Sequence, residues 1–446
     1  NRITFNGNGE RLQFSPSSSS NTSVVKIDGA DYITFDNINV KTLHSLYARG
    51  FWLTNRSDYI IIENCEIDIT SSTSTSSGYS AGIAMVGSST SVTSYTTGGI
   101  KGLYNTFRNN EIYGSTSNNG LYSGIAVNGT SSMEEHFLRI EGNYIHNFYR
   151  NGIYMYYNLQ NTDYINNTII RGQKSGYSTF YGIYTYYCNG AKFHDNLIAD
   201  DGPSGMSYSC YGINENSYTT DGSSPHEYYN NIIHLNSGYY RNGIASFAYY
   251  SSSKKFKHNT VYMRGSYGYG YGIFNYEFYY ADVEMKNNIV DVDFTSSPYF
   301  YNIYNYSYSN YDGDGNVLPV NAQSGSHYVG YLYTLNSGGG TALNWGQWLS
   351  NPNNPDPNGT DMRPTFVDPS TQDFEPTIID LDGAGIAAGL TTDREGNSRS
   401  MTKPDPGAIE FDIDMNVTSI NFPNVICQGS TDDVEVTIKN NSNLNL

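Results

Sequence analysis

Asn151-Gly152-Ile153-Tyr154-Met155-Tyr156 returns further along the chain as Tyr181-Gly182-Ile183-Tyr184-Thr185-Tyr186. The isoleucine of this motif recurs as Ile153, Ile183, Ile213, Ile244, Ile273 and Ile303, at gaps of 30, 30, 31, 29 and 30 residues. Looser copies lie earlier, at Ser123-Gly124-Ile125 and Ala81-Gly82-Ile83. A second motif, Asn-x-Ile/Val, keeps step with the first. Its members are Asn110-Glu111-Ile112, Asn143-Tyr144-Ile145, Asn167-Thr168-Ile169, Asn196-Leu197-Ile198, Asn231-Ile232-Ile233, Asn259-Thr260-Val261 and Asn288-Ile289-Val290. Two motifs in step mean one structural unit, repeated. A fixed period of this length marks a solenoid or a propeller.

Each motif sits in a short run of β-formers such as Ile153–Tyr157, Ile183–Tyr187 and Val283–Val292, and Gly, Asn, Ser and Asp punctuate every run. No long stretch has strong helical spacing, which excludes helical repeats. Leucine is too scarce for a leucine-rich repeat. A propeller blade needs four antiparallel strands and usually a Trp-Asp mark, and neither is seen. The pattern predicts an all-β chain, a parallel β-helix with a few short strands per coil stacked at roughly 4.8 Å. Stacking sets the isoleucine of each Gly-Ile pair over its equivalent as an inward column, and the Ile/Val of Asn-x-Ile as another. The asparagines fall at a turn, where their amides can bond along the axis and where the left-handed conformation is tolerated. The glycine suits a bend or a close backbone approach. Inward columns also explain how a chain with only 38% hydrophobic residues can hold a continuous core.

Ile61-Ile62-Glu63-Asn64-Cys65-Glu66-Ile67 and Tyr164-Ile165-Asn166-Asn167-Thr168-Ile169 resemble the right-handed parallel β-helix repeat of pectate-lyase-like proteins. The stretch from Val25 to Phe35 resembles the opening coil of very large secreted surface proteins of Bacteroidota-type bacteria. Pro364–Pro369, Asp373-Phe374, Asp393–Arg399 and Asp405–Phe411 are similar to the tail that closes many bacterial surface β-helices. These resemblances imply an extracellular, cell-surface setting. They specify an activity poorly, because such folds serve lyases, hydrolases, adhesins and passive stalks.

Three regions follow. Residues 1–310 read as the right-handed parallel β-helix, with Ser/Thr/Gly-rich insertions near Ser71–Gly78 and Gly87–Gly99. Residues 311–412 read as an irregular tail capping or covering it, with Trp345 and Trp348 plugging the last coil. Residues 413–446 resemble the start of an immunoglobulin-like module, too short to complete one. The incomplete patterns at Asn1 and Leu446 are read as the ends of a segment from a larger secreted protein.

The chain has 446 residues, Asp+Glu 42 against Lys+Arg 24, and a net charge of −18. That balance argues against nucleic acid and anionic membrane as partners. No apolar run is long enough for membrane insertion. The cysteines, Cys65, Cys188, Cys210 and Cys427, show no metal-ligand spacing. Cys188 and Cys210 occupy neighbouring coils at different offsets, so buried thiols are expected rather than a disulfide.

Candidate catalytic groups are sparse. Asn161-Thr162-Asp163 followed by Asp200-Asp201 resembles the polygalacturonase pattern, but its Gly-His-Gly and Arg-x-Lys companions are missing. Arg171, Arg241 and Arg264 are isolated. His136, His146, His194, His226, His234 and His258 fall at different offsets. No catalytic residue is assigned and no cofactor is required. Asp312-Gly313-Asp314-Gly315-Asn316 alternates oxygen ligands with glycines as calcium loops do, which makes Asp312, Asp314 and Asn316 candidate Ca2+ ligands. Asp380-Leu381-Asp382-Gly383 is a weaker one.

Tyrosine, at 44 residues, is the most unusual feature of the composition. If the isoleucine points inward, residues one and three later point outward. One outer column is then Tyr154, Tyr184, Asn214, Ala245, Phe274 and Tyr304; the next is Tyr156, Tyr186, Asn216, Phe247, Tyr276 and Tyr306. Tyr rings join a flat apolar face to a polar hydroxyl. Such columns can dock sugar rings or a partner protein, or they stabilise the sheet by stacking, or the tail covers them. The leading functional reading is a non-enzymatic adhesin segment, a rigid stalk contacting glycans or other surface proteins. The rivals are a β-helix polysaccharide lyase or glycoside hydrolase, and a self-assembling fibre or sheath whose tyrosine faces pack between copies.

Overall fold

The fold is taken from a computed structural model. It describes residues 1–411 apart from 77, 94–101, 130–136, 157–160, 175, 204–205, 218–223, 249–252, 266–267, 278–281, 296–298, 308–310, 321–326, 335–338 and 352–355; beyond 411 it describes the backbone of 415–421 and 435–440.

One coil shows the construction. Strand Asp163–Ile165 is followed by a two-residue corner, strand Thr168–Arg171, a longer connection and strand Phe180–Tyr186. Each pairs in parallel with its equivalents in the coils before and after. The result is a parallel β-solenoid with three sheets of eleven, ten and twelve strands, called here the first, second and third in the order the chain visits them.

Both expected inward columns form. Ile83, Ile125, Ile153, Ile183, Ile213, Ile244, Ile273 and Ile303 are in register along the third sheet and fully buried. Ile112, Ile145, Ile169, Ile198, Ile233, Val261 and Val290 do the same along the second. The first sheet adds an inward aromatic run, Tyr164, Phe193, Tyr228 and Phe256, with centroids 4.6 to 4.9 Å apart. Glycine precedes seven of the eight isoleucines in the third-sheet column, all but Ile303, and closeness demands it. A β-carbon on Gly182 would lie 2.3 Å from Ile198 Cγ2 and 2.5 Å from the Gly212 carbonyl oxygen.

The corner between the first and second sheets carries the polar logic. Its first position is left-handed in coil after coil, at Asn37, Asn64, Asn109, Asn166, Asp195, Asn230, His258 and Asn287, with φ between 51° and 60°, a region Asn and Asp enter most readily. Its second position is the Asn of Asn-x-Ile. Nδ2 of Asn110, Asn143, Asn167, Asn196, Asn231, Asn259 and Asn288 donates to Oδ1 of the next asparagine at 2.9 or 3.0 Å, ending on Asn316. The same Oδ1 accepts the backbone N–H of the asparagine before it, as from Asn196 to Asn231 at 3.2 Å. The second Nδ2 hydrogen reaches a first-sheet carbonyl, as from Asn196 to Tyr164 at 2.8 Å. Every amide hydrogen of this buried ladder is therefore used, which burial requires.

The bore is not wholly aliphatic. Two residues after the isoleucine, the inward column runs Val127, Met155, Thr185, Glu215, Ser246, Asn275 and Asn305. Glu215 accepts from Ser246 at 2.6 Å and from Tyr228 at 3.0 Å, and the fully buried His226 and Lys254 lie nearby.

The sheets run past residue 310. Tyr311–Asp314 is the eleventh strand of the first sheet and His327–Thr334 continues the third; Gly339–Leu343 then pairs antiparallel with it. Helix Trp345–Ser350, started by an Asn344 capping box, places Trp348 in the main core against Gly330 and Tyr311, with Trp345 partly buried beside it. Trp348 Nε1 donates to Asp356 at 3.3 Å, and Asp356 accepts both N–H and Nδ2 of Asn316 at 3.3 Å. Burial pushes the Asp356 carboxyl up to about 6.

Residues 361–411 turn back over the outer face of the second sheet. Phe374, Ala408 and Ile409 pack on Leu197 and Ile232, and Leu381 and Phe411 pack on Ile289 and Val317. Arg399 donates to Asn230 at 3.1 Å, Ala408 N–H to Thr260 at 2.9 Å and Gln372 to Asp201 at 3.2 Å. This return segment follows the second sheet and its corner, and leaves the third sheet's outer face outside its path.

Strands Met415–Asn421 and Glu435–Asn440 form an antiparallel pair; the rest of the region read as immunoglobulin-like lies outside the described residues. Cys65, Cys188 and Cys210 are buried thiols that form no disulfide among the described residues; Cys427 lies outside the described residues. Among the described residues no helix is long and apolar enough to cross a membrane.

Candidate binding face on the third sheet

The outward columns stand in the expected register. Tyr154 stacks on Tyr184 at 5.3 Å, and Tyr156 on Tyr186 at 4.9 Å, both with rings 7° from parallel. The columns pause at Asn214 and Asn216, which are hydrogen bonded to each other at 2.7 Å, and resume at Phe247. Phe274 stacks on Tyr304 at 5.1 Å and Tyr276 on Tyr306 at 4.8 Å. Tyr331 and Tyr333 extend both runs by one coil, each at 4.4 Å. Most of these rings are half-buried. Phe274 is only 9% exposed, enclosed by Phe247, Tyr271 and Tyr304, so it supports the stack rather than presenting a surface.

A third column was not anticipated. Tyr181 stacks on Tyr211 at 5.0 Å, and Tyr271, Tyr301 and Tyr328 form a second run at 5.7 and 5.3 Å. Tyr181, Tyr211 and Tyr271 open the Tyr-Gly-Ile motif itself, and Tyr301 opens the equivalent Tyr301-Asn302-Ile303, two residues before an inward isoleucine, where strict alternation would turn them inward. The alternation breaks at this point of the strand: in Phe180–Tyr186, Gly182 and Ile183 are both buried and Tyr181 is turned out, and in Phe300–Tyr306 Asn302 and Ile303 are both buried and Tyr301 is turned out. The signal was present in the motif's own first letter.

Two recesses open between the columns. One of about 590 Å3 is lined by Tyr239, Tyr269, Tyr271, Tyr299, Tyr301, Tyr304 and Tyr331. The other, about 280 Å3, is lined by Thr93, Tyr122, Arg150, Asn151, Tyr154, Tyr181 and Tyr184. Burial pushes the phenols of Tyr211 and Tyr301 up to about 12 and that of Tyr154 further. The face therefore offers neutral hydroxyls and apolar ring edges along the columns at ordinary pH, a combination that suits apolar contact with hydrogen bonding at the rim.

The candidate carboxylates do not converge. Asp163 points outward on the first sheet in register with Lys192. Asp200 ends a second-sheet strand, fully buried, with Arg171 in a bidentate pair at 2.9 and 2.7 Å. Burial opposes the Asp200 charge, but Arg171 outweighs it and holds the carboxyl below its usual range. Cys210 and Ser237 also donate to it. Asp201 instead faces the return segment. Arg241 is buried and donates to backbone carbonyls, and Arg264 pairs with Asp291.

The histidines are equally dispersed. His146 bonds Glu111, His194 stacks on Tyr229, His226 lies in the bore, and His234 and His258 contact the return segment; His136 lies outside the described residues. The calcium candidates separate as well. Lys286 pairs with Asp312 at 2.9 Å, Asp314 accepts from Asn358 at 3.0 Å, and Asn316 is the buried end of the ladder, its Oδ1 already accepting two hydrogens. Asn316 is thus a structural amide with no lone pair turned toward Asp312 or Asp314. Of Asp380-Leu381-Asp382-Gly383, Leu381 is buried in the return segment's contact with the solenoid. Among the described residues no group of three or more His, Cys, Asp and Glu side chains is placed to hold a metal.

The fold makes this chain a parallel β-solenoid whose third sheet carries half-buried aromatic columns that the return segment leaves uncovered among the described residues. No known protein family matches it, and no curated protein is detectably similar to it.

Proposed function

We propose that this chain is a non-enzymatic binding segment of an extracellular surface protein, a rigid solenoid that presents the outer face of its third sheet to glycans. The carrying observation is the recess walled by seven tyrosines beside stacked columns that no other segment covers among the described residues. Sugar rings present C–H faces to aromatic rings and hydroxyls to phenols, so a cleft of neutral Tyr side chains matches them on both counts. An uncovered aromatic patch of this extent is uncommon on a protein surface without a partner. The net charge of −18 disfavours close packing of identical copies and so weighs against the sheath reading. The dispersal of Asp163, Asp200 and Asp201 weighs against a lyase or hydrolase. We take the solenoid as right-handed, the sense that parallel strands with crossover connections adopt.

The test is a glycan array run beside a turnover assay on the whole chain. Binding without product, lost in Tyr301→Ala and Tyr304→Ala, is the expected result. Released product from any polysaccharide, or binding indifferent to both substitutions, would overturn the proposal.

A further inference from the structure

We infer that the smaller recess, around Arg150, is a subsite for a sugar ring bearing a carboxylate, with the Arg150 guanidinium as its anchor. This rests on the reading of the third sheet as a glycan face. Three observations carry it.

The first is charge. Arg56, Arg108, Arg139, Arg171 and Arg264 each pair with a carboxylate. Arg150 has no acidic partner among the described residues, although acids outnumber bases 42 to 24 in the chain. A half-buried guanidinium whose charge the protein leaves unmatched is complementary to an anion brought by a ligand.

The second is geometry. The guanidinium lies 5.7 Å from the centre of the Tyr181 ring and 6.0 Å from that of Tyr122. Both phenols also accept hydrogen bonds from the guanidinium, which fixes the planar fork; with five N–H donors it keeps others to offer a carboxylate.

The third is the wall chemistry. Tyr154 and Tyr184 close one side as a stacked pair, flat enough for a pyranose ring. Thr93 and Asn151 supply polar groups beside it. The tyrosine-only recess further along has no charged group in its lining. The two recesses therefore divide the labour: the larger takes sugar rings as such, and the smaller selects an acidic one.

The experiment is calorimetric titration of the whole chain with a glucuronate-containing tetrasaccharide, its carboxyl-reduced neutral counterpart, and a sulfated neutral tetrasaccharide. The acidic sugar is expected to bind about tenfold more tightly than the reduced one, the scale of one charge-assisted contact. That advantage should shrink as salt rises from about 0.05 M to about 0.5 M. Arg150→Gln should abolish the advantage, so that the acidic and reduced sugars bind alike; Arg150→Lys should keep part of it, because charge survives without the fork. Circular dichroism and melting confirm that both variants are folded. Equal binding of acidic and reduced sugars, or an advantage that survives Arg150→Gln, overturns the subsite and leaves the glycan face standing. Preference for the sulfated sugar over the carboxylated one also overturns it as stated. Binding of none of the three overturns both.

Discussion

The second and third sheets are built from the same coils, yet their outer faces have opposite fates. Outward positions on the second sheet, such as Leu197 and Ile232, are buried under Phe374, Ala408 and Ile409. Outward positions on the third sheet, such as Tyr184 and Tyr304, stack on one another and stay half-buried. The chemistry of the residues foretells the difference. Aliphatic side chains facing water have nothing to gain there and call for a cover. Tyrosine satisfies both neighbour and solvent, so a tyrosine column can remain open. What a solenoid coil displays is thus decided one side chain at a time, at positions the core does not constrain.

The comparison can be broken most severely at the corner where the covered face begins. Asn231→Ala deletes one rung of the ladder and leaves the N–H and Nδ2 of Asn196 without their acceptor. Unsatisfied buried groups cost roughly 1–3 kcal/mol each, so a loss of about 4 kcal/mol in denaturant unfolding is expected; a loss below about 1 kcal/mol would mean the ladder is ornamental to stability.

Phe374→Ala attacks the cover itself. Phe374 is 2% exposed, and removing a buried Phe ring typically costs about 3–5 kcal/mol; we expect about 3, together with faster hydrogen exchange along the second sheet. Tyr276→Ala on the bare face removes only stacking worth about 1 kcal/mol. If these two substitutions proved equally damaging, the contrast between covered and bare faces would have no energetic meaning.

Acid should separate the faces more gently. His234 and His258 lie beneath the return segment, and burial lowers both from their usual range. A histidine that is harder to protonate when folded contributes stability present near neutrality and lost as pH falls below about 6.5, where the unfolded chain binds protons the folded one refuses. Asp405, which burial pushes up to about 7, acts in the opposite sense, its contribution fading as pH rises through that value. The variant His234→Gln/His258→Gln isolates the histidines: between pH 7 and pH 5 wild type should lose about 1 kcal/mol more than the variant. A wild-type curve parallel to the variant's would remove histidine from the account.

How much of this was legible beforehand depends on whether a residue repeats. Ile153 and Asn196 announce themselves because their equivalents return every coil, and both columns and the ladder follow from that spacing alone. Tyr181 repeats too, but two successive buried residues, Gly182 and Ile183, interrupt the alternation that reading relies on, and the third aromatic column was missed for that reason. No motif singles out Glu215, and His226 is only one of several histidines at scattered offsets, yet both lie in the bore, where Ser246 and Tyr228 donate to Glu215. Arg150 occurs once, so periodicity says nothing about it. The path of residues 361–411 was invisible as well, since Gln372 and Arg399 reach partners more than 160 residues away, Asp201 and Asn230.

Asp356 has a consequence of its own. Each asparagine in the file accepts from the one below and donates to the one above, so every rung is an invitation to add another, as at the living end of a polymer. A carboxylate in that slot accepts but, when ionised, has no hydrogen to pass on. It behaves as an end-group: the stack reaches Asn316, meets Asp356 under the indole of Trp348, and stops growing. The amide stack thus closes on one acid that cannot hand a hydrogen onward, at the same end where the antiparallel strand and the Trp348 helix close the sheets.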